Sequence, residues 1–276
     1  MKNDKKENKA LSQTSVMVSA DLINKIHNEN CIETMAKMPD NFIDLTVTSP
    51  PYDNLRTYKG YSFDFENVAK ELFRVTKQGG VVVWIVNDKR VKGNRTLTHF
   101  KQALFMQSIG FNVLDTMIWH KTNPMPYIQK DQYTPSYESM FVFSKDKTKV
   151  FNPIMEECKY KGKVLKTHTT NPESIRKPNR TEATKDTKIK SNVWQTVVTG
   201  TNYGHPAIFP EQLANDHIVS WSNEGDLVYD PFMGSGTTAK MSILNNRNWI
   251  GSEISSEYCD IIKQRIVNCT AQHSLF

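Results

Sequence analysis

Six consecutive apolar residues, 81–86 (V-V-V-W-I-V), set the tightest limit on what this chain can fold into. A strand without polar alternation is buried on both faces, and that requires a sheet covered by helices on both sides. The neighbouring segments can supply such layers. Residues 43–48 (I-D-L-T-V-T) read as a strand that stops at Pro50-Pro51. Phe65, Val68, Ala69, Leu72 and Phe73 share one helical face, so 64–76 is predicted as an amphipathic helix with Asp64 as N-cap. Gly79-Gly80 is placed in the turn that follows. Further helices are predicted over 98–109, 210–221, 237–244 and 257–267, and further strands over 111–119, 140–144, 227–229 and 249–251. Strands that alternate with helices, without an internal repeat, predict an α/β sheet with crossover connections.

At 276 residues and 38% hydrophobic content, the chain suits one large domain, or one domain with an inserted lobe. No apolar run approaches the roughly 18 residues of a membrane span. Residues 1–13 are polar and lysine-rich without a hydrophobic stretch, which excludes a secretory signal, and 1–20 is expected to be a flexible leader. Cys31, Cys158, Cys259 and Cys269 are scattered and form no Cys-x-x-Cys pair. That spacing offers neither a zinc site nor a disulfide framework and fits a reducing cytoplasm. The net charge of +6 is concentrated: residues 145–190 hold 13 Lys/Arg against 6 Asp/Glu, a net of +7, which leaves about −1 for the rest. This is the footprint of a nucleic-acid binder, or of a solvated lysine-rich loop.

Two motifs stand out. The first is Asp230-Pro231-Phe232-Met233-Gly234-Ser235-Gly236-Thr237-Thr238, between a predicted strand and a predicted helix. Glycines there permit a tight turn and bring bare main chain close to a ligand, while the helix start offers unpaired N–H groups. Glu253 lies 23 residues after Asp230, at the end of the next strand, where doubly wound folds place an acidic partner for ribose hydroxyls. The Gly-Lys-Ser/Thr ending of a phosphate-binding P-loop is missing. The pattern points to a nucleoside-bearing cofactor, or to a merely structural turn.

The second motif, Thr48-Ser49-Pro50-Pro51-Tyr52, lies at the carboxyl end of a strand, where open α/β sheets place ligands. Two prolines fix φ and remove two N–H donors, leaving carbonyls rigidly aimed. An exocyclic amino group has two hydrogens to donate, one for the Ser49 hydroxyl and one for the Pro50 carbonyl. Tyr52 offers a face for a planar base, a contact worth roughly 1–3 kcal/mol.

With both motifs in this order, the chain resembles the amino-methyltransferases of DNA, specifically their permuted β group. There a Ser/Asp/Asn-Pro-Pro-Tyr motif precedes a target-recognition region and an Asp-Pro-Phe-x-Gly-Ser-Gly-Thr cofactor motif. The resemblance covers roughly residues 21–268. It implies a Rossmann-like S-adenosylmethionine-dependent methyltransferase sheet with helices on both faces. Residues 21–144 would be the catalytic part, 145–200 an inserted target-recognition region and 201–276 the cofactor-binding part. It further implies that Ser49, Pro50, Pro51 and Tyr52 hold the target base. Asp230, Pro231, Phe232, Gly234, Ser235, Gly236 and Thr237 would line the methionine end of S-adenosylmethionine, with Glu253 on its ribose. His205 and Phe209 resemble a further cofactor-side motif. Asn30, in Glu29-Asn30-Cys31, stands where the family usually has Asp, and its contact with cofactor or base is left open. Double-stranded DNA is the implied partner; a homodimer and a cognate restriction enzyme are open.

Such chemistry needs alignment more than a strong base. Hydrogen bonds to both amino hydrogens localise the nitrogen lone pair for in-line attack on the sulfonium methyl. The base must leave the duplex to be reached. Carbon-5 methylation of cytosine needs an attacking cysteine, usually after a proline, and no cysteine here follows one. Within the family Ser-Pro-Pro-Tyr favours the 4-amino group of cytosine, with the 6-amino group of adenine as alternative. Protein glutamine methylation uses Asn-Pro-Pro-Tyr after the cofactor motif, and both differences point away from it. A silent DNA-binding protein would not need both motifs intact. Phosphate contacts are expected from Lys159, Lys161, Lys163, Lys166, Arg176, Lys177 and Arg180. Arg56, Tyr58 and Lys59, with the loop from His120 and Lys121 to Tyr127, are either phosphate ligands or solvated loop residues.

Overall fold

The computed structural model describes residues 21–51, 63–124, 131–163, 185–197 and 210–273. These fall into two compact units. Pro153–Ser191 forms one, and the residues up to Asn152 and from Asn192 form the other.

The larger unit is built on an eight-stranded sheet. In chain order its elements are β1 (Lys25–His27), α1 (Cys31–Ala36), β2 (Ile43–Thr48), α2 (Phe65–Val75), β3 (Thr76–Val86), the small ribbon β4 (Arg90–Val91) and β5 (Asn94–Arg95), α3 (Thr98–Ser108), β6 (Asn112–Lys121) and β7 (Tyr137–Ser144). In the smaller unit, β8 (Met155–Glu157) pairs antiparallel with β9 (Thr187–Ile189). The larger unit resumes with β10 (Val193–Thr196), α4 (Glu211–Trp221), β11 (Leu227–Asp230), α5 (Thr237–Leu244), β12 (Asn248–Ser252) and α6 (Ser256–His273). The sheet order is β1-β12-β11-β2-β3-β7-β6-β10. Every neighbouring pair is parallel except those of β7, which runs against β3 and β6.

Helices cover both faces, and two adjacent residues show it. Successive side chains of a strand point to opposite faces. On β12, Ile250 packs into the cluster with Met35, Leu72 and Met106 of α1, α2 and α3. Its neighbour Trp249 packs with Ala239 and Ile262 of α5 and α6. Residues Val81 to Val86 are all buried, as their unbroken apolar run requires. Filling each such position contributes roughly 1.5–3 kcal/mol against leaving it exposed. Asp64 caps α2 by accepting from the Asn67 N–H at 3.3 Å.

Three expectations need correction. Gly79-Gly80 does not form a turn: α2 runs straight into β3, and the register against β2 shifts between Ile43 and Leu45. Gly79, at φ +81°, absorbs that irregularity within the strand. Residues 145–200, read as lacking regular elements, contain β8, β9 and β10. The last of these extends the main sheet, because Trp194 is buried beside its partner Trp119. Short edge strands of mixed polarity leave no periodic signal, and β1, α1, β4 and β5 escape prediction for the same reason. Among the described residues no helix is long and apolar enough to cross a membrane.

Candidate active site

β2, β3, β11 and β12 are parallel, so their carboxyl ends share one edge of the sheet. β2 delivers Thr48, Ser49, Pro50 and Pro51 there, and β11 delivers Asp230. The two are joined directly. The Thr48 hydroxyl donates to Asp230 Oδ1 at 2.6 Å, and the Thr238 hydroxyl at the start of α5 donates to Oδ2 at 2.7 Å. The Phe232 N–H adds a third bond to Oδ1 at 3.0 Å. Asp230 is 1% exposed. Burial pushes its carboxyl up to about 6, against the lowering effect of these three donors. The residue therefore ties β2, β11 and α5 together with both oxygens engaged, rather than presenting a free carboxylate.

The turn after it is held from the opposite side. Glu253 Oε2 accepts the Gly234 N–H and Oε1 the Ser255 N–H, both at 2.9 Å. Its backbone is fixed in turn, since the Glu253 N–H donates to the His27 carbonyl and the Asn28 amide donates to the Glu253 carbonyl. Burial raises the Glu253 carboxyl, opposed by the backbone donors, and the nearby Asp230 raises it further. Gly236 precedes α5 at φ +84°, and a Cβ there would lie 3.1 Å from Ile262 Cγ1, so only glycine fits. Thr237 is buried, and its hydroxyl has no partner among the described residues. A buried hydroxyl without a partner is costly unless a ligand completes it.

Sequence reasoning missed a third support. Arg265 of α6, 8% exposed, donates through Nη1 to the Ser235 carbonyl and to Ser235 Oγ, and through Nη2 to Glu211 Oε1 at 2.8 Å. Lys240 of α5 meets the same Glu211 carboxylate at 2.8 Å. The Ser235 side chain is thus turned to Arg265. A signal did exist: Cys259, Ile262, Arg265 and Cys269 fall on the buried face of α6, and an arginine among them implies a buried acceptor. Thr48 and Thr238 were likewise not singled out.

The other assigned positions divide as follows. Phe232 packs edge-on against Phe63 at 5.3 Å and Trp84 at 6.2 Å, so its ring joins the aromatic core. Pro231 follows directly on β11, and Pro50 is buried while Ser49 and Pro51 are half-buried. Asn30 caps α1 by accepting the Ile32 N–H at 2.9 Å. Aspartate performs that task equally well, which accounts for the exchange at this position. Lys121 pairs with Glu138 and lies 4.8 Å over Trp119, so its charge is already matched. In the smaller unit Lys161 meets Glu157 at 3.5 Å, Lys159 lies 5.5 Å over Tyr160, and Lys163 follows in the same turn. Tyr52, Arg56, Tyr58, Lys59, Tyr127, Lys166, Arg176, Lys177, Arg180, His205 and Phe209 lie outside the described residues.

The comparisons with known proteins agree with this geometry. The family model described as DNA methylase matches residues 43–264. The chain belongs to the DNA methylase family. The orphan methyltransferase M.BamHII of Bacillus amyloliquefaciens is 50% identical over 246 residues, 85% of this chain and 92% of the relative. Among solved structures, the cytosine-N4-specific PvuII DNA methyltransferase superposes with a TM-score of 0.65 at 22% identity, covering 87% of this chain and 85% of that one. The DNA modification methylase TTHA0409 of Thermus thermophilus, complexed with S-adenosyl-L-methionine, gives 0.61 at 25% identity, covering 89% and 95%. The fold of this DNA methyltransferase is therefore the Rossmann-like sheet that its motifs imply.

Cysteine chemistry finds no support at this site. Burial pushes the Cys31 thiol up to about 12 and the Cys259 thiol up to about 11, far from a usable thiolate at neutral pH.

Proposed function

We propose that this methyltransferase modifies the exocyclic amino group of a base turned out of double-stranded DNA, with the 4-amino group of cytosine as target. The Thr48–Asp230 hydrogen bond carries the reading, because it seats the Ser49-Pro50 end of β2 directly beside the Gly-rich turn. S-adenosylmethionine, when bound, supplies an electrophilic methyl group on a sulfonium centre. The residues present fit that cofactor. The Thr237 hydroxyl lacks a partner among the described residues, and Gly234 and Gly236 keep side chains out of the turn. Each Glu253 oxygen takes one backbone N–H and keeps lone-pair capacity for ribose hydroxyls.

The chain's own work is positioning. The Ser49 hydroxyl and Pro50 carbonyl accept the two amino hydrogens and favour a pyramidal nitrogen with a localised lone pair. Tyr52 stacks on the base. No general base is needed, because the methylated nitrogen is cationic and releases its proton to water. The serine at position 49 favours cytosine over adenine. A homodimer astride the duplex and a cognate restriction enzyme are further partners of this reading, although the relative M.BamHII is named an orphan.

Transfer of labelled methyl groups to duplex DNA tests the assignment. Ser49→Ala is expected to abolish transfer while cofactor binding, followed by calorimetry, survives. Wild-type turnover in that variant would refute the role given to Ser49.

A further inference from the structure

The basic region 145–190 is not the only cationic feature of the chain. Residues 87–97 (N-D-K-R-V-K-G-N-R-T-L) hold four Lys/Arg against one carboxylate, and β4 and β5 fold them into a two-stranded ribbon. The ribbon grows from the carboxyl end of β3. That strand pairs with β2 in a register that sets Thr48 against Trp84, so the ribbon leaves the same sheet edge that carries Ser49 and Pro50.

The ribbon is held from several sides. Asp88, whose side chain is 1% exposed, takes Arg95 Nη1 at 2.6 Å and the Leu97 N–H at 3.3 Å. The Thr96 N–H donates to the Lys89 carbonyl at 3.0 Å. Arg90 reaches Asp131 at 2.8 Å, and Asn87 reaches the Tyr137 carbonyl at 2.9 Å. The two-residue turn at its tip is Lys92-Gly93, with φ of +49° and +81°. A turn of this kind prefers Asn-Gly or Asp-Gly, because the first residue is left-handed. Lysine is a poor choice for that backbone, and it is fully exposed there. Backbone strain retained at an exposed tip marks a position kept for its side chain.

We propose that this ribbon is a rigid phosphate clamp, with Lys92 at its tip gripping the DNA backbone beside the extruded base, helped by Arg95. Asp88 is a positioning residue that fixes the ribbon and does not itself meet DNA. The proposal rests on the DNA methyltransferase reading and adds a contact surface separate from the lysines of the smaller unit.

Lys92→Asn tests it, because asparagine suits the turn while removing the charge. Binding of cofactor-loaded protein to duplex DNA would be followed by fluorescence anisotropy over a range of KCl concentrations. Lys92→Asn is expected to weaken binding about three- to ten-fold and to reduce the slope of log K against log[salt] by about one. Its Tm should be equal to or above that of the native chain, and Lys92→Arg should restore both affinity and slope. Unchanged affinity and salt slope in Lys92→Asn would overturn the clamp. Methylation of DNA by the unaltered enzyme, run alongside, reports separately on the parent reading.

Discussion

The Thr48 hydroxyl and the Asp230 carboxylate meet at 2.6 Å across 182 residues of sequence. This bond joins the end of the strand that presents the base-holding loop to the start of the turn that fits the cofactor. Both threonine donors face a buried carboxyl raised to about 6, which is ionised at neutral pH and accepts both hydrogens.

A pH dependence follows. The folded Asp230 carboxyl titrates near 6 and the unfolded one near 4, so between these values the folded state holds more protons. The stability contributed by this group therefore falls as pH rises from about 4 to about 6, by on the order of 2–3 kcal/mol. Asp230→Asn lacks the titration, and its Tm should change less across that window than that of the native chain. Parallel Tm–pH curves would contradict the environment described for Asp230.

Arg265 should act on the cofactor through Ser235. Arg265→Ala leaves the Ser235 carbonyl and the Glu211 carboxylate each short of a donor, at a cost of about 2–3 kcal/mol. Cofactor Kd, measured by calorimetry at a temperature where the variant stays folded, should rise at least about tenfold. Arg265→Lys, which keeps the charge but loses the fork, should recover only part of it. A destabilised variant with native cofactor affinity would reduce the arginine to a purely structural part.

Glu253→Gln replaces one acceptor with a donor, so either the Gly234 or the Ser255 N–H loses its partner. The expected result is a loss of about 1–3 kcal/mol in cofactor binding, with the far-ultraviolet spectrum unchanged. Equal affinity of variant and native protein would remove Glu253 from the cofactor site.

Gly236→Ala combines left-handed backbone with a contact against Ile262, and should cost about 1–3 kcal/mol of stability. Ile262→Val in the same chain should relieve the contact but not the φ strain. Chemical denaturation of the single and double variants separates the two effects. Full recovery in the double variant would mean that the backbone there is not strained.

The sequence was most readable where burial is one-sided or complete. The run 81–86 and the apolar stripe of α2 indicated a doubly covered sheet because periodicity and burial are directly linked. The two motifs located the site, since proline pairs and Gly-rich turns constrain the backbone locally. The supports of the site were not readable. Thr48, Thr238 and Arg265 act through partners 182, 8 and 30 residues away, and no local pattern names those partners. Phe232 and Ser235 sit in the motif, yet their side chains turn toward Trp84 and Arg265, a choice made by packing. The ribbon 90–95 escaped because its cations are interleaved with turn residues on strands of two residues each.

The most direct test of the account is nucleoside mass spectrometry of mixed-sequence duplex DNA incubated with the enzyme and methyl-labelled S-adenosylmethionine. The account predicts a labelled 4-methylcytosine peak. A labelled 6-methyladenine peak would contradict the choice of base, and the absence of any labelled nucleoside would contradict the account as a whole.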